Sequence, residues 1–220
     1  MFLHGYLSQG NSFYHQLKYF SRDFDVYAPD LKGFGSNTEM PYPYSLDDYV
    51  SEVKEYCYKN GLGSPNVVAH SFGARIVLKG VYTKELSFDK IVITGGAGLT
   101  PKVTLKKRLK KTAFCFLKKF IKKEKLKAFY SSDYNSLSPI MKQSFIKIVN
   151  ERLDYTLPYI NAKTLLIFGE KDKETPLYMA KRFNSGIKNS TLITFKDAGH
   201  FCFLDKPQTF NTEVKEFLLS

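Results

Sequence analysis

Apolar and polar positions along this chain fall into two alternating kinds of segment. Short, densely apolar runs occur at Met1–Leu3, Asp25–Ala28, Asn66–Ala69, Lys90–Thr94, Lys163–Phe168 and Thr191–Phe195. Runs this short, with apolar residues at consecutive positions, predict strands covered on both faces. Between them, the stretches near 11–20, 45–60, 72–84, 176–185 and 207–218 predict helices, with Pro176 opening one of them. Strand and helix in turn imply the α/β class: a mostly parallel sheet with helices on both faces. In an open sheet of that kind the ligand crevice lies beyond the carboxyl ends of the strands.

The strand ends therefore decide what chemistry is available. Behind Asn66-Val67-Val68 stands Ala69-His70-Ser71-Phe72-Gly73. A strand that turns sharply into a helix lifts a serine out of the packed layers, and the N–H of the next residue, Phe72, can then point at a reacting oxygen. That turn needs small residues two before and two after the serine. Gly73 supplies one, and Ala69 stands where the usual pattern has glycine. Alone, the pentapeptide is equally compatible with an ordinary strand-to-helix connection.

Two later strand ends carry the partners a reactive serine requires. The run Lys163–Phe168 leads into Gly169-Glu170-Lys171-Asp172, and Thr191–Phe195 leads into Asp197-Ala198-Gly199-His200-Phe201. His200 is the candidate base and Asp172 the candidate acid. Glu170, Glu174 and Asp197 are nearby alternatives to Asp172. The end of Ile91-Val92-Ile93-Thr94 offers only Gly95-Gly96-Ala97-Gly98, so no carboxylate is available there. The order Ser71, Asp172, His200 is that of one hydrolase class and differs from both common protease orders.

With these motifs in place, the chain resembles the α/β-hydrolase fold superfamily, in its cap-bearing branch of small esterases and carbon–carbon hydrolases. Phe2-Leu3-His4-Gly5-Tyr6 resembles the family's His-Gly oxyanion loop, and Asp30-Leu31-Lys32-Gly33-Phe34-Gly35-Ser36 resembles its Asp-x-x-Gly-x-Gly-x-Ser loop. The resemblance covers residues 2–99 and 160–219. It implies a core of 1–99 and 160–220 with an inserted helical cap at 100–159. It also implies Ser71, Asp172 and His200 as catalytic residues and the backbone N–H groups of Tyr6 and Phe72 as oxyanion donors. His4, His70, Phe116, Phe120 and Phe201 become candidates for lining a substrate pocket, with His4 also a candidate for orienting its loop and Asp30 for bracing its own. The expected reaction is cleavage of an ester or related acyl bond without a cofactor. A carbon–carbon hydrolase or lyase would use the same residues, and a non-catalytic ligand-binding member is the third alternative. A serine at the elbow argues against the aspartate-nucleophile branches. Family members also carry two strands ahead of the His-Gly strand, so a trimmed sheet or a shortened start is expected here.

Charge changes the picture at one place only. The chain has 220 residues and a formal net charge of +12. Between Lys102 and Lys127 stand twelve Lys or Arg against the single acidic Glu124, which accounts for +11 of that +12. Leu105, Leu109, Ala113, Phe116, Leu117, Phe120 and Ile121 recur at helical spacing there, predicting one or two basic amphipathic helices. Their basic face reads as a solvated surface, as attraction for an anionic substrate, or as contact with an anionic membrane surface. Nucleic acid is not an expected partner, because the aromatics lie on the apolar face and no nucleic-acid module is recognisable. The three cysteines Cys57, Cys115 and Cys202 are odd in number and far apart, which argues against a disulfide framework. With no signal-peptide pattern and no apolar run near ~20 residues, a cytoplasmic protein is expected. No His, Cys, Asp or Glu spacing suggests a metal site.

Overall fold

The computed structural model describes residues 1–102 and 132–220. Five strands form one sheet in sequence order: β1 (Phe2–Leu3), β2 (Val67–His70), β3 (Lys90–Thr94), β4 (Lys163–Gly169) and β5 (Ser190–Phe195). Every neighbouring pair is parallel. All five carboxyl ends thus face one way, toward the loops that carry Ser71, Asp172 and His200.

Side chains of consecutive strand residues point to opposite faces, and both faces are covered. Leu3, Val67, Ala69, Ile91, Ile93, Leu166 and Phe168 join one core with helices α2 (Leu46–Lys59), α3 (Phe72–Tyr82) and α6 (Leu177–Gly186). Phe2, Val68, Val92, Leu165 and Ile167 join the other with α1 (Tyr14–Phe20) and α8 (Pro207–Leu219). This period of two, with both halves buried, is why the strands read as unbroken apolar runs.

One predicted strand is not formed. Residues 25–28 run beside β1 but make a single backbone bond to it, from the Phe2 N–H to the Tyr27 oxygen at 2.7 Å. β1 is itself only two residues long, and Pro29 has no N–H to extend a ladder. A helix at residues 202–205, α7 (Cys202–Asp205), is the converse case: it directly follows the candidate base and was not predicted.

Between β3 and β4 lie α4 (Ser132–Ser136), α5 (Pro139–Asn150) and a 3-10 turn at Asp154–Tyr159. The predicted basic helices through Leu105 to Ile121, with Phe116 and Phe120, lie outside the described residues. α5 starts where Ser138 accepts a hydrogen bond from the Met141 N–H at 3.2 Å and Pro139 takes the first helical position. It is fastened to the core at its middle and its carboxyl end. Ser144 donates to the Tyr44 oxygen at 2.8 Å, and the buried Arg75 guanidinium donates to the Ile148 and Glu151 oxygens at 2.9 and 3.0 Å. A cation on the last carbonyls of a helix satisfies acceptors that lack intrahelical partners. Among the described residues, no helix is long and apolar enough to cross a membrane.

Candidate active site

The nucleophile candidate is shaped by its backbone. Ser71 joins β2 to α3 with φ 49° and ψ −102°, a conformation that costs a non-glycine residue on the order of 1–3 kcal/mol. Neighbouring chain holds it there: the Ser71 N–H donates to the Thr94 oxygen and the Ser71 oxygen accepts from the Ala97 N–H, both at 3.1 Å. Gly73 is required because a Cβ there would collide with the Leu3 carbonyl. Gly5 is required for a similar reason. A Cβ on it would stand 2.7 Å from His70 Nδ1 and 3.5 Å from the Ser71 Cβ, so the loop after β1 passes directly against the elbow. Ala69 is buried in β2 opposite Ile93, where its methyl group fits.

Tyr6 follows Gly5 on that loop. The backbone N–H groups of Tyr6 and Phe72 have no acceptor among the described residues. Two unpaired donors on either side of a strained serine are what a developing oxyanion needs. The Tyr6 ring meets Phe34 at 4.8 Å, Phe145 at 5.2 Å and Phe72 at 5.5 Å between centroids, and its hydroxyl donates to the Met141 oxygen at 3.1 Å. Its side chain therefore ties the loop to α5.

The acid and base candidates are joined by hydrogen bonds. His200 Nδ1–H donates to Asp172 Oδ2 at 2.8 Å, leaving Nε2 as the nitrogen turned away from the acid. The Thr175 hydroxyl donates to the same oxygen at 2.7 Å, and the N–H groups of Glu174 and Thr175 donate to Oδ1 at 2.8 and 2.9 Å. Burial alone would raise the Asp172 pKa; the bonds from His200 and Thr175 outweigh it and hold the carboxyl below its usual range. The alternatives to Asp172 lie elsewhere. Glu170 and Glu174 are exposed, and Asp197 is spent on an ion pair with Lys171 at 2.8 Å. Thr175 was not singled out from the sequence. The signal was there, since an Asp followed after two positions by Thr and Pro is a turn in which the Asp side chain accepts from the backbone ahead of a helix.

Ser71 and His200 make no direct hydrogen bond among the described residues, and two residues link their surroundings. Gly95, at the end of β3, would place a Cβ 3.1 Å from His200 Nδ1, and the His200 ring lies 4.7 Å from that of His70, the residue before the serine. Serine–base bonds commonly tighten only when substrate arrives.

Two histidines offered as pocket candidates, His4 also as a loop-orienting residue, face inward. His4 is fully buried, with Nδ1–H donating to the Gly5 oxygen at 2.7 Å and Nε2 accepting from the Leu31 N–H at 3.0 Å. Burial lowers its pKa, and a neutral ring with both nitrogens engaged orients the loop rather than contacting substrate. His70 is buried too. Its Nε2–H donates to the His200 oxygen at 3.1 Å, and burial followed by the nearby His200 pushes its pKa down to about 3. Phe201, by contrast, is exposed beside the site.

The remaining groups are structural. Asp30 accepts from the Gly10 N–H at 2.7 Å and from the Ser36 N–H and hydroxyl, both at 2.8 Å, bracing its loop. Cys202 packs against the Thr94 hydroxyl at 3.0 Å, with burial raising its pKa to about 11. Among the described residues no group of three His, Cys, Asp or Glu is arranged to hold a metal ion.

The likeness to known proteins runs along almost the whole chain. The chain is similar to the AB hydrolase superfamily protein YisY of Bacillus subtilis, with 23% identity covering 99% of this chain and 90% of that one. Among solved structures it is similar to an esterase from Exiguobacterium antarcticum, with TM-score 0.79, 24% identity, and coverage of 100% and 91% of the two chains. It is also similar to a meta-cleavage product hydrolase from Pseudomonas fluorescens, with TM-score 0.74, 22% identity and coverage of 99% and 89%. The model of the alpha/beta hydrolase fold matches residues 1–116 and 97–207, nearly the whole length. The chain therefore belongs to the α/β-hydrolase fold family.

Proposed function

We propose that this protein is a serine hydrolase that cleaves an ester by acyl transfer to water. The single observation that carries the reading is the buried Asp172 carboxylate bonded at 2.8 Å to His200, at the same strand ends as a strained Ser71. His200 Nε2 takes the Ser71 proton as the serine oxygen attacks the carbonyl carbon. The oxyanion is received by the N–H groups of Tyr6 and Phe72, and Asp172 stabilises the imidazolium. His200 protonates the leaving alcohol, then takes a proton from water as the water oxygen attacks the acyl carbon, and returns it to the Ser71 oxygen as the acyl–serine bond breaks and the acid leaves. Of the expected cap, the described residues 132–159 meet the oxyanion loop where the Tyr6 hydroxyl donates to the Met141 oxygen.

The test is labelling with a fluorophosphonate probe. Folded wild type is expected to be labelled and Ser71→Ala is not. Absence of labelling in folded wild type, or equal labelling of Ser71→Ala, overturns the reading. A carbon–carbon hydrolase is the second reading, supported by the likeness to the meta-cleavage product hydrolase. It predicts labelling at Ser71 but feeble turnover of model esters beside that of a vinylogous diketone acid.

A further inference from the structure

A groove begins one residue beyond each of the two loops that would meet the substrate. It encloses about 470 Å³ and is lined by Leu7, Phe34 and Phe201 with Ser8, Gln9 and Ser12, the remainder being glycine. Leu7 follows Tyr6, and Phe201 follows His200. Phe201 lies 5.5 Å from the His200 ring and 4.8 Å from that of His70 between centroids.

Two features set this groove apart from ordinary surface. Leu7 and Phe201 are 48% and 42% exposed, so large apolar side chains face water on both loops that flank the proposed reaction. One such residue alone would need no explanation. Leu7 also has φ 58°, a left-handed backbone that a branched side chain disfavours and that glycine or asparagine would take more easily. Stability thus favours another residue at position 7 twice over, by exposure and by conformation. The second feature is charge. No Asp, Glu, Lys, Arg or His lines the groove among the described residues, and its Ser8 and Ser12 hydroxyls are 2.5 Å apart, bonded to each other.

Resting on the serine-hydrolase reading, we propose that this groove holds an uncharged alkyl or aryl arm of the ester, with Leu7 and Phe201 as the residues that set the preference. An apolar arm removes both exposed side chains from water, at about a three- to fourfold gain per methylene covered. A carboxylate on the same arm would lose hydration and meet no cation among the described residues that line the groove.

The experiment compares two matched ester pairs. 4-Nitrophenyl pentanoate against 4-nitrophenyl hemisuccinate varies charge on the acyl side, and phenyl acetate against 4-carboxyphenyl acetate varies it on the alcohol side. After correction for spontaneous hydrolysis, wild type is expected to prefer the neutral member of at least one pair by fivefold or more in kcat/KM. Leu7→Ala and Phe201→Ala, both exposed positions, are expected to shrink that preference through KM while remaining folded by circular dichroism. Leu7→Lys is expected to shrink it most. Discrimination below fivefold in both pairs, or a preference that all three variants leave unchanged, overturns the proposal. If those results occur while Ser71 is still labelled by fluorophosphonate, the groove alone is wrong. If Ser71 is unlabelled and none of the four esters is cleaved, the hydrolase reading falls and the groove proposal with it.

Discussion

The two halves of the site are prepared by different physics. On the side of Asp172 and His200, side chains hydrogen-bond one another: one carboxylate accepts from a ring N–H, a hydroxyl and two backbone N–H groups. On the side of Ser71, the preparation is in the backbone. A strained serine, two glycines with no room for a Cβ, and two N–H groups without acceptors among the described residues define it, while the side chains of His4 and Tyr6 brace the loop from behind. An acid and base must hold a proton in one place, which needs matched donors and acceptors. The proposed nucleophile and oxyanion hole must keep donors unspent until charge develops, and here backbone N–H groups are the donors left free to do so.

The sharpest way to break this contrast is at the carboxylate. Asp172→Asn keeps the shape but offers His200 an amide, so the favoured ring tautomer changes. It is expected to lower kcat by about 10³- to 10⁴-fold on any cleaved ester, with KM little altered. A loss below tenfold would mean that another group orients His200.

Gly5→Ala tests the opposite side. Its added methyl meets His70 Nδ1 at 2.7 Å and must displace the loop carrying the Tyr6 N–H. The expected outcome is a fall in kcat of about 100-fold, as for an ångström-scale misplacement of a positioning group. The downfield proton resonance of the His200–Asp172 bond should persist. Loss of that resonance together with activity would show that the halves are not independent.

The smallest effect concerns His70, which bridges them. Its folded pKa of about 3 lies below the ordinary 6.5, so between those values the unfolded chain binds a proton that the folded chain refuses. Stability then falls as pH drops from about 6.5 toward about 3, and nothing is lost above that window. His70→Gln keeps a donor for the His200 carbonyl and cannot titrate. Its urea midpoint should fall less steeply across that range than that of wild type, by up to ~1.4 kcal/mol per pH unit in unfolding free energy. His4, also lowered, leaves a residual slope in both proteins. Parallel slopes would contradict a buried neutral His70.

The contrast also sorts what could be read in advance. The elbow was legible because its demands are local: small residues at fixed offsets and an apolar run before them. His200 and Asp172 were legible as residue types at strand ends. Thr175 was passed over because its role depends on which way the Asp172 side chain turns. His4 was open to a loop or a pocket role and His70 to packing or pocket lining, and the choice rests on the Leu31 N–H and the His200 carbonyl, which claim their nitrogens from 27 and 130 positions away. Segment 25–28 has strand-like residues, but a two-residue neighbour and Pro29 deny it a ladder.

By itself, the sequence determined the order of strands and helices, the α/β class and the candidate serine, base and carboxylates that follow three of the strands. Those follow from periodicity, from turn chemistry and from residue type, all properties of a few consecutive positions. The tertiary structure alone decided which carboxylate reaches His200, which histidines are sealed away and that Leu7 and Phe201 flank one uncharged groove. Each of these depends on crossovers that bring distant strand ends into register, and a distance between strand ends is not encoded in any local stretch of chain.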